Sequence, residues 1–131
     1  MKIEFRGKAT GSIEELEEIG IKHTNGWIYG SYIDDFIING IVEVNDEYIS
    51  IEQWSDVDPK TVGQYTTLRD KNGIKIFDGD RCWNDFEEAY GVIIFDEGKF
   101  QFEFDDAVMD LCDAVMDLEV IGNIYDVEVS E

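Results

Sequence analysis

The hydrophobic positions of this chain recur mostly at every second residue, which is the spacing of β-strands. Residues 27–33, 90–95 and 99–104 show this alternation most clearly, and a short Asp-Glu-Gly turn separates the last two. Shorter β-rich stretches occupy residues 3–6, 64–68, 74–77 and 119–125. The pattern predicts a mainly β protein built from antiparallel hairpins.

Two hairpin turns are predicted in the N-terminal part. Asn39 and Gly40 separate two apolar stretches, and both residues adopt positive φ readily, so this pair is a strong short-range hairpin signal. Asn45 and Asp46 offer a second turn before the strand that starts at Tyr48. We therefore expect an antiparallel meander in this region.

A short helix is predicted at residues 13–19, near the start of the chain. Ser12 precedes it, and its side-chain oxygen can accept a hydrogen bond from the backbone N–H of Glu15. Gly20 follows directly and is predicted to end the helix.

A second helix is predicted in a seven-residue near-repeat, where residues 106–111 recur as residues 113–118. At about 100° per residue, the aspartates gather on one narrow face and the apolar residues on the opposite one. The acidic face consists of Asp106, Asp110, Asp113 and Asp117. The pattern predicts an amphipathic helix whose acidic face is a candidate for partner binding.

The clearest internal boundary is the turn-rich segment 55–60, which holds the only proline, Pro59. It separates an N-terminal β-rich region, residues 1–57, from a C-terminal region, residues 58–131. Because 131 residues are typical of one domain, we expect the two regions to form one compact unit.

Three segments, in order along the chain, are similar to motifs of the YopX family of bacteriophage and prophage proteins. The opening segment comprises residues 5–8 (FRGK) and 26–30 (GWIYG), and the closing one is residues 120–125 (VIGNIY). Between them, residues 58–80 (DPKTVGQYTTLRDKNGIKIFDGD) are the strongest match. The resemblance implies a mainly β protein whose C-terminal half is a small SH3-like barrel with one amphipathic helix. It brings no catalytic residues with it.

The charge of the chain excludes several classes of partner. It carries 31 acidic and 10 basic residues, a formal net charge of −21. A field of this sign repels nucleic acid and anionic lipid, so direct binding to either is not expected. Neither a secretory signal nor an apolar run near the ~20 residues of a membrane span is present. We therefore expect a cytoplasmic protein.

Few residues suggest chemistry. His23 is the only histidine, and its place beside a predicted turn favours a surface side chain over a catalytic one. Cys82 and Cys112, the only cysteines, are far apart in sequence and are predicted to be reduced core thiols. Paired carboxylates arise by chance in so acidic a chain and indicate no particular reaction. The sequence predicts no enzyme, no cofactor and no metal site.

Two functions lead, and an enzyme of unrecognised type is a third hypothesis, whose structural sign would be a deep pocket with convergent acids. The first is a phage-related accessory protein of unknown molecular activity, a non-enzymatic interaction module that binds a protein partner or further copies of itself. The alternative is an acidic DNA mimic that inhibits a host DNA-binding protein. In the alternative, the face formed by Asp106, Asp110, Asp113 and Asp117 would meet a basic surface. Competition with DNA for such a protein separates the two hypotheses.

Overall fold

The computed structural model describes residues 3–44 and 49–126, except for the side chains of residues 40–44 and 49–52. The chain divides into two compact units, Met1–Gln64 and Tyr65–Glu131. Antiparallel strands make up most of the described chain and helices are short, so the predicted mainly β class is confirmed. The boundary predicted between residues 57 and 58, and the SH3-like barrel, stay predictions.

The first unit is built on an antiparallel sheet with one helix. Its strands are β1 (Phe5–Lys8), β2 (Trp27–Ile33), β3 (Phe36–Val44) and β4 (Ile49–Asp56), in the order β4-β3-β2-β1. The next strand, β5 (Gly63–Arg69), starts in this unit, where Gly63 and Gln64 pair with β1. The core consists of Leu16, Ile28, Ile37 and Val57, all of which are buried.

The first predicted helix is confirmed as α1 (Ile13–Glu18). Ser12 caps it, since its Oγ accepts a hydrogen bond from the Glu15 backbone N–H at 3.2 Å. Leu16 is the buried residue of this short helix and joins the core of the unit. Gly20 has a φ of +77°, a left-handed conformation that suits glycine just after a helix.

The hairpin predicted at Asn39 and Gly40 is wrong, because both residues lie within β3. The turn occurs at Asp34 and Asp35 instead, whose φ values are 47° and 66°. Aspartate tolerates this conformation, and the backbone C=O of Asp35 also accepts a hydrogen bond from Val57 N–H at 3.0 Å. The turn predicted at residues 45 and 46 lies outside the described residues.

The second unit contains the remaining strands. They are the rest of β5, then β6 (Lys75–Phe77), β7 (Asp80–Asn84), β8 (Ala89–Asp96), β9 (Lys99–Phe104), β10 (Ala107–Asp110) and β11 (Leu118–Asn123). Five of them form a sheet in the order β10-β9-β8-β7-β11. The β8–β9 hairpin is confirmed, with its turn at Glu97 and Gly98. The buried core of this unit is Ile76, Cys82, Ile93, Phe102, Leu111, Ala114 and Leu118.

The long amphipathic helix predicted over the near-repeat is wrong. Its first copy contains the turn after β9 and strand β10, and only Leu111–Ala114 form an α-helix, α2, followed by a 3₁₀ turn at Val115–Asp117. β10 pairs with β9 along its whole length. Through this pairing, backbone N–H and C=O groups of β10 find hydrogen-bond partners in β9. A pattern along a single segment of sequence does not reveal such a partner strand.

Candidate interaction surface

The four aspartates predicted to share one helix face lie in four different local structures. Asp106 is exposed in the turn that precedes β10, and Asp110 ends that strand. Asp113 lies in α2, and Asp117 ends the 3₁₀ turn. Asp110 follows Asp106 by four positions along the extended chain of β10, which is about 13 Å. These four aspartates therefore form no continuous acidic stripe.

Asp110 already has a partner. The Lys99 ammonium lies 2.8 Å from the Asp110 carboxylate, and this hydrogen bond raises the pKa of Lys99 above its usual value. The pair borders a pocket of about 220 Å³ with an apolar lining that includes Leu68, Phe100 and Leu111. Among the four aspartates, Asp110 is therefore a poor candidate for meeting a second cation.

The three residues considered for a chemical role, His23, Cys82 and Cys112, differ in their exposure. His23 is mostly buried, with a side chain only 10% exposed, so the predicted surface position is wrong. Its Nδ1 accepts a hydrogen bond from the Gly26 backbone N–H at 3.0 Å, which ties the imidazole to the chain before β2. The core position predicted for the cysteines is confirmed for Cys82 and wrong for Cys112, which is exposed.

An exposed patch that contains aromatic side chains lies where β7 turns into β8. Trp83 and Tyr90 are directly opposed on the two strands, with ring centroids 4.6 Å apart. Cross-strand partners share a sheet face, so Trp83 also shares its face with Glu119 on its other side. Trp83 is half-buried, whereas Tyr90 is exposed.

The same end of the sheet carries the two most exposed large apolar side chains of the described residues. Met116 is 83% exposed and Phe86 is 78% exposed. A 2.9 Å hydrogen bond from the backbone N–H of Asp85 to the C=O of Asp117 joins the two backbone segments that carry them, because Phe86 follows Asp85 and Met116 precedes Asp117. We call Trp83, Phe86, Tyr90 and Met116 the β7–β8 patch.

The turn that carries Phe86 is held by its own hydrogen bonds. Asn84 is buried, and its Oδ1 accepts from the backbone N–H groups of Phe86 and Glu87, each at 2.9 Å. This Asx-type turn fixes the backbone while the Phe86 ring stays in solvent. The arrangement presents an apolar side chain from a fixed position, which limits the conformational entropy lost on binding.

Acidic groups border the patch. Those adjacent to it in sequence or strand register are Asp85, Glu87, Glu88, Asp117 and Glu119. The Lys71 ammonium and the Trp83 indole N–H both donate to Asp85, and these bonds hold the pKa of that carboxyl below its usual value. The local surface therefore combines apolar anchors with negative charge.

The comparison with protein families shows which family the chain belongs to. The sequence model of the family described as YopX protein matches residues 9–128. The chain belongs to the YopX family. A search of curated proteins found no match.

Metal-binding clusters and membrane-spanning helices are both absent from the described part of this YopX family member. Across residues 3–44 and 49–126, no cluster of three or more His, Cys, Asp or Glu side chains is arranged to hold a metal ion. Within the same ranges, no helix has the length and apolar character needed to cross a membrane.

The β7–β8 patch was not predicted from the sequence. Its one local signal is Phe86, a large apolar residue within the acidic turn Asn84–Glu88, where a purely solvated loop would favour polar residues. The contribution of Met116 depends on the long-range contact between Asp85 and Asp117, which no single segment of sequence reveals. In this YopX family member, strand pairing and turn closure assemble the patch.

Proposed function

We propose that this YopX family member is a phage- or prophage-related accessory protein that acts in the cytoplasm by binding a basic protein. The β7–β8 patch is the proposed contact surface. The single observation that supports it best is the high exposure of Phe86 and Met116, at 78% and 83%, on two segments joined by the backbone hydrogen bond between Asp85 and Asp117.

The apolar residues of the patch would supply most of the affinity. Burying a large apolar side chain is worth about 1.5–3 kcal/mol, and aromatic residues are enriched among those that dominate binding energy. Trp83 and Tyr90 already contact each other, so little conformational freedom would be lost in ordering them.

The acidic border of the patch favours a partner whose surface is positively charged. Glu87, Glu88 and Glu119 would attract a basic surface and accelerate association at low salt. A second copy of this chain would bring like charges together across a symmetric interface, which opposes self-association through this patch. The proposed partner is therefore a different protein with an apolar site surrounded by lysine or arginine.

The proposal includes no catalysed reaction. Asp70 and Asp80 are buried carboxylates, the kind of group that often serves as an acid or base. Both oxygens of Asp70 accept hydrogen bonds from backbone N–H groups, and Oδ2 of Asp80 accepts one from the Phe77 N–H at 2.7 Å, which suits a structural role. We therefore assign the function to binding.

One observation still supports the DNA-mimic alternative, namely the net charge of −21. Its geometric argument was the acidic helix face, and the structure distributes those four aspartates over a turn, a strand, a helix and a 3₁₀ turn. The interaction module with apolar anchors is the better-supported proposal.

Photocrosslinking tests the proposal directly. Phe86 is replaced by the photoreactive analogue p-benzoylphenylalanine, and the protein is irradiated in nuclease-treated bacterial lysate. The matched control carries the same analogue at Phe95, another exposed phenylalanine at the far end of β8. We expect one basic protein to be crosslinked from position 86 and not from position 95.

The captured protein is then purified and its affinity is measured for wild type and for the Phe86→Ala/Met116→Ala variant. Loss of about tenfold or more in affinity is expected for the variant. Equal crosslinking from both positions, or unchanged affinity, would overturn the proposal. If duplex DNA displaces the partner and the double variant binds normally, the DNA-mimic alternative is favoured.

A further inference from the structure

His23 connects helix α1 to the turn that leads into β2. Its Nδ1 accepts a hydrogen bond from the Gly26 backbone N–H at 3.0 Å, and its Nε2 lies 3.6 Å from a carboxylate oxygen of Glu17. The His23 side chain is only 10% exposed, whereas that of Glu17 is 67% exposed. We call these three residues the His23 link, and the proposed function makes no use of it.

The contact with Gly26 requires one protonation state of the imidazole. Nδ1 accepts a hydrogen bond only when it carries no proton, so the neutral ring holds its proton on Nε2, which faces Glu17. A protonated imidazole has an N–H on both ring nitrogens and is a donor only. Protonation of His23 therefore removes the acceptor of the Gly26 N–H and places two N–H groups against each other.

The turn that carries Gly26 is held by backbone hydrogen bonds. Thr24 and Trp27 bond to each other through both of their backbone groups, at 3.0 and 2.9 Å. The two central residues have positive φ, as in the tight turns that join antiparallel strands. The Gly26 C=O also accepts a hydrogen bond from the Ala9 N–H at 2.9 Å. Loss of the bond to the imidazole therefore loosens this turn locally and leaves the strand pairing in place.

Charged groups approach the link from α1 and β1. Glu17 attracts a protonated imidazole, but water screens its exposed carboxylate, and such pairs contribute little. Lys8 of β1 acts in the opposite direction, because its Cε would lie 3.7 Å from a Cβ placed on Gly26. The exposed Lys22 adds further positive charge. From β4 comes a neutral group, the Gln53 amide, which bonds to the backbone of residues 20 and 22.

We propose that the His23 link is a pH-sensitive connection between α1 and the turn before β2. Gly26 is buried, and a buried N–H that loses its acceptor costs more free energy than an exposed ion pair returns. The open turn therefore binds a proton more readily than the closed turn, and the closed turn loses stability as the pH falls through the range in which imidazole titrates. The link belongs to the first unit and is independent of the β7–β8 patch.

Hydrogen exchange of single backbone amides, followed by NMR at pH 7.5 and 5.5, tests the proposal. Each rate is compared with that of an unstructured amide at the same pH, so the resulting protection factor reports only on opening. The Gly26 protection factor should fall about three- to tenfold at pH 5.5, because the protonated fraction of an ordinary imidazole rises about tenfold over this range. The matched control is Gly73, which also follows an asparagine but donates its N–H to the Asp70 C=O at 2.9 Å. Its protection should not change.

Three variants separate the role of Nδ1 from general acid sensitivity. His23→Asn supplies a side-chain oxygen that accepts from the same position and gains no proton in this range, so Gly26 should stay protected at both pH values. His23→Leu has no acceptor and should show weak protection at both. Glu17→Gln should enlarge the fall, because the closed turn loses the charge that partly compensates a protonated imidazole.

A Gly26 protection factor that stays constant or rises at pH 5.5 in the wild type would overturn the inference. An equal fall in His23→Asn, or an equal fall at Gly73, would also overturn it, since either result shows that acid loosens the protein without His23. These outcomes leave the crosslinking result at Phe86 untouched, so the link and the proposed function can fail separately.

Discussion

The Asp70 carboxylate accepts a hydrogen bond from the backbone N–H of Val120 at 2.8 Å, which joins the end of β5 to β11 across 50 residues of sequence. The other oxygen of the same carboxylate accepts from the N–H groups of Asn72 and Ile74, at 2.8 and 2.9 Å. One buried side chain therefore closes the β5–β6 turn and attaches it to the last strand.

Asp70→Ala should destabilise the second unit strongly. The substitution leaves three backbone N–H groups without their acceptor, and each such group costs about 1–3 kcal/mol when buried. Because water can reach part of the turn, we expect a total loss of about 3–5 kcal/mol in the free energy of unfolding. Urea denaturation followed by circular dichroism measures it.

Asp106→Ala is the matched control, since Asp106 is an exposed aspartate in another turn of the same unit. Its free energy of unfolding should stay within about 0.5 kcal/mol of wild type. Asp70→Asn should be intermediate, because its amide N–H₂ cannot accept one of the bonds. A wild-type midpoint for Asp70→Ala would show that the carboxylate is dispensable.

The contact between Lys71 and Asp85 should appear in the titration of both groups. Hydrogen bonds from Lys71 and from the Trp83 indole lower the pKa of Asp85 below 3.8, and the bond to Asp85 raises the pKa of Lys71 above 10.5. Lys71→Met should therefore raise the pKa of Asp85, as measured by carboxyl ¹³C NMR. Lys99→Met removes a lysine that pairs with Asp110 instead, and it should leave the Asp85 titration unchanged.

The sign of the linked stability follows from these directions. A carboxyl with a lowered folded-state pKa stabilises the protein above its unfolded pKa, and this contribution disappears as the pH falls through the folded value. The raised pKa of Lys71 contributes below 10.5 and is lost as the pH rises through its folded value. Lys71→Met should flatten both dependences, and unchanged profiles would contradict the role of the pair.

Local patterns predicted elements whose determinants lie within a few residues. β2 occupies the predicted residues 27–33, and Ser12 caps α1 as expected, because alternation and capping are short-range properties. Asn39 and Gly40 misled the prediction because a strand tolerates them when its neighbour supplies the pairing, as β4 does for Asn39.

The near-repeat shows more clearly that a local sequence pattern does not determine the structure of every segment. Two nearly identical stretches adopt different structures: Val108 lies in a strand, and Val115 lies in a 3₁₀ turn. The first copy follows Asp105, whose positive φ of 50° returns the chain to the edge of β9. The first copy pairs with a neighbouring strand and the second does not form a strand. The helical spacing of the aspartates therefore did not predict their local structure.

Gly91 is predicted to be irreplaceable in β8. A Cβ at this position would lie 2.4 Å from the backbone oxygen of Glu103 and 2.7 Å from the ring of Phe102. Phe102 is fully buried and stacks on Phe104, so it has no room to move. Gly91→Ala should reduce the free energy of unfolding by about 2–4 kcal/mol, in the upper part of the usual range for overpacking or above it.

Gly11→Ala is the control for that substitution. The nearest atom to its new Cβ would be the carboxylate oxygen of Glu15 at 3.3 Å, which is the far end of a flexible side chain. Thermal unfolding should place the Gly11→Ala midpoint near wild type and the Gly91→Ala midpoint well below it. Equal midpoints would show that β8 and β9 can separate locally at no measurable cost.

The two thiols should differ in reactivity because Cys82 is completely buried in the core of the second unit and Cys112 is exposed in α2. Iodoacetamide should add one label to the native protein and two after denaturation, as counted by intact mass. Cys112→Ser should abolish native labelling, whereas Cys82→Ser should leave one label in the folded fraction. Rapid native labelling of Cys82 at the rate of Cys112 would mean that the core around Ile93 and Leu118 opens frequently, since burial protects a thiol only while the packing persists.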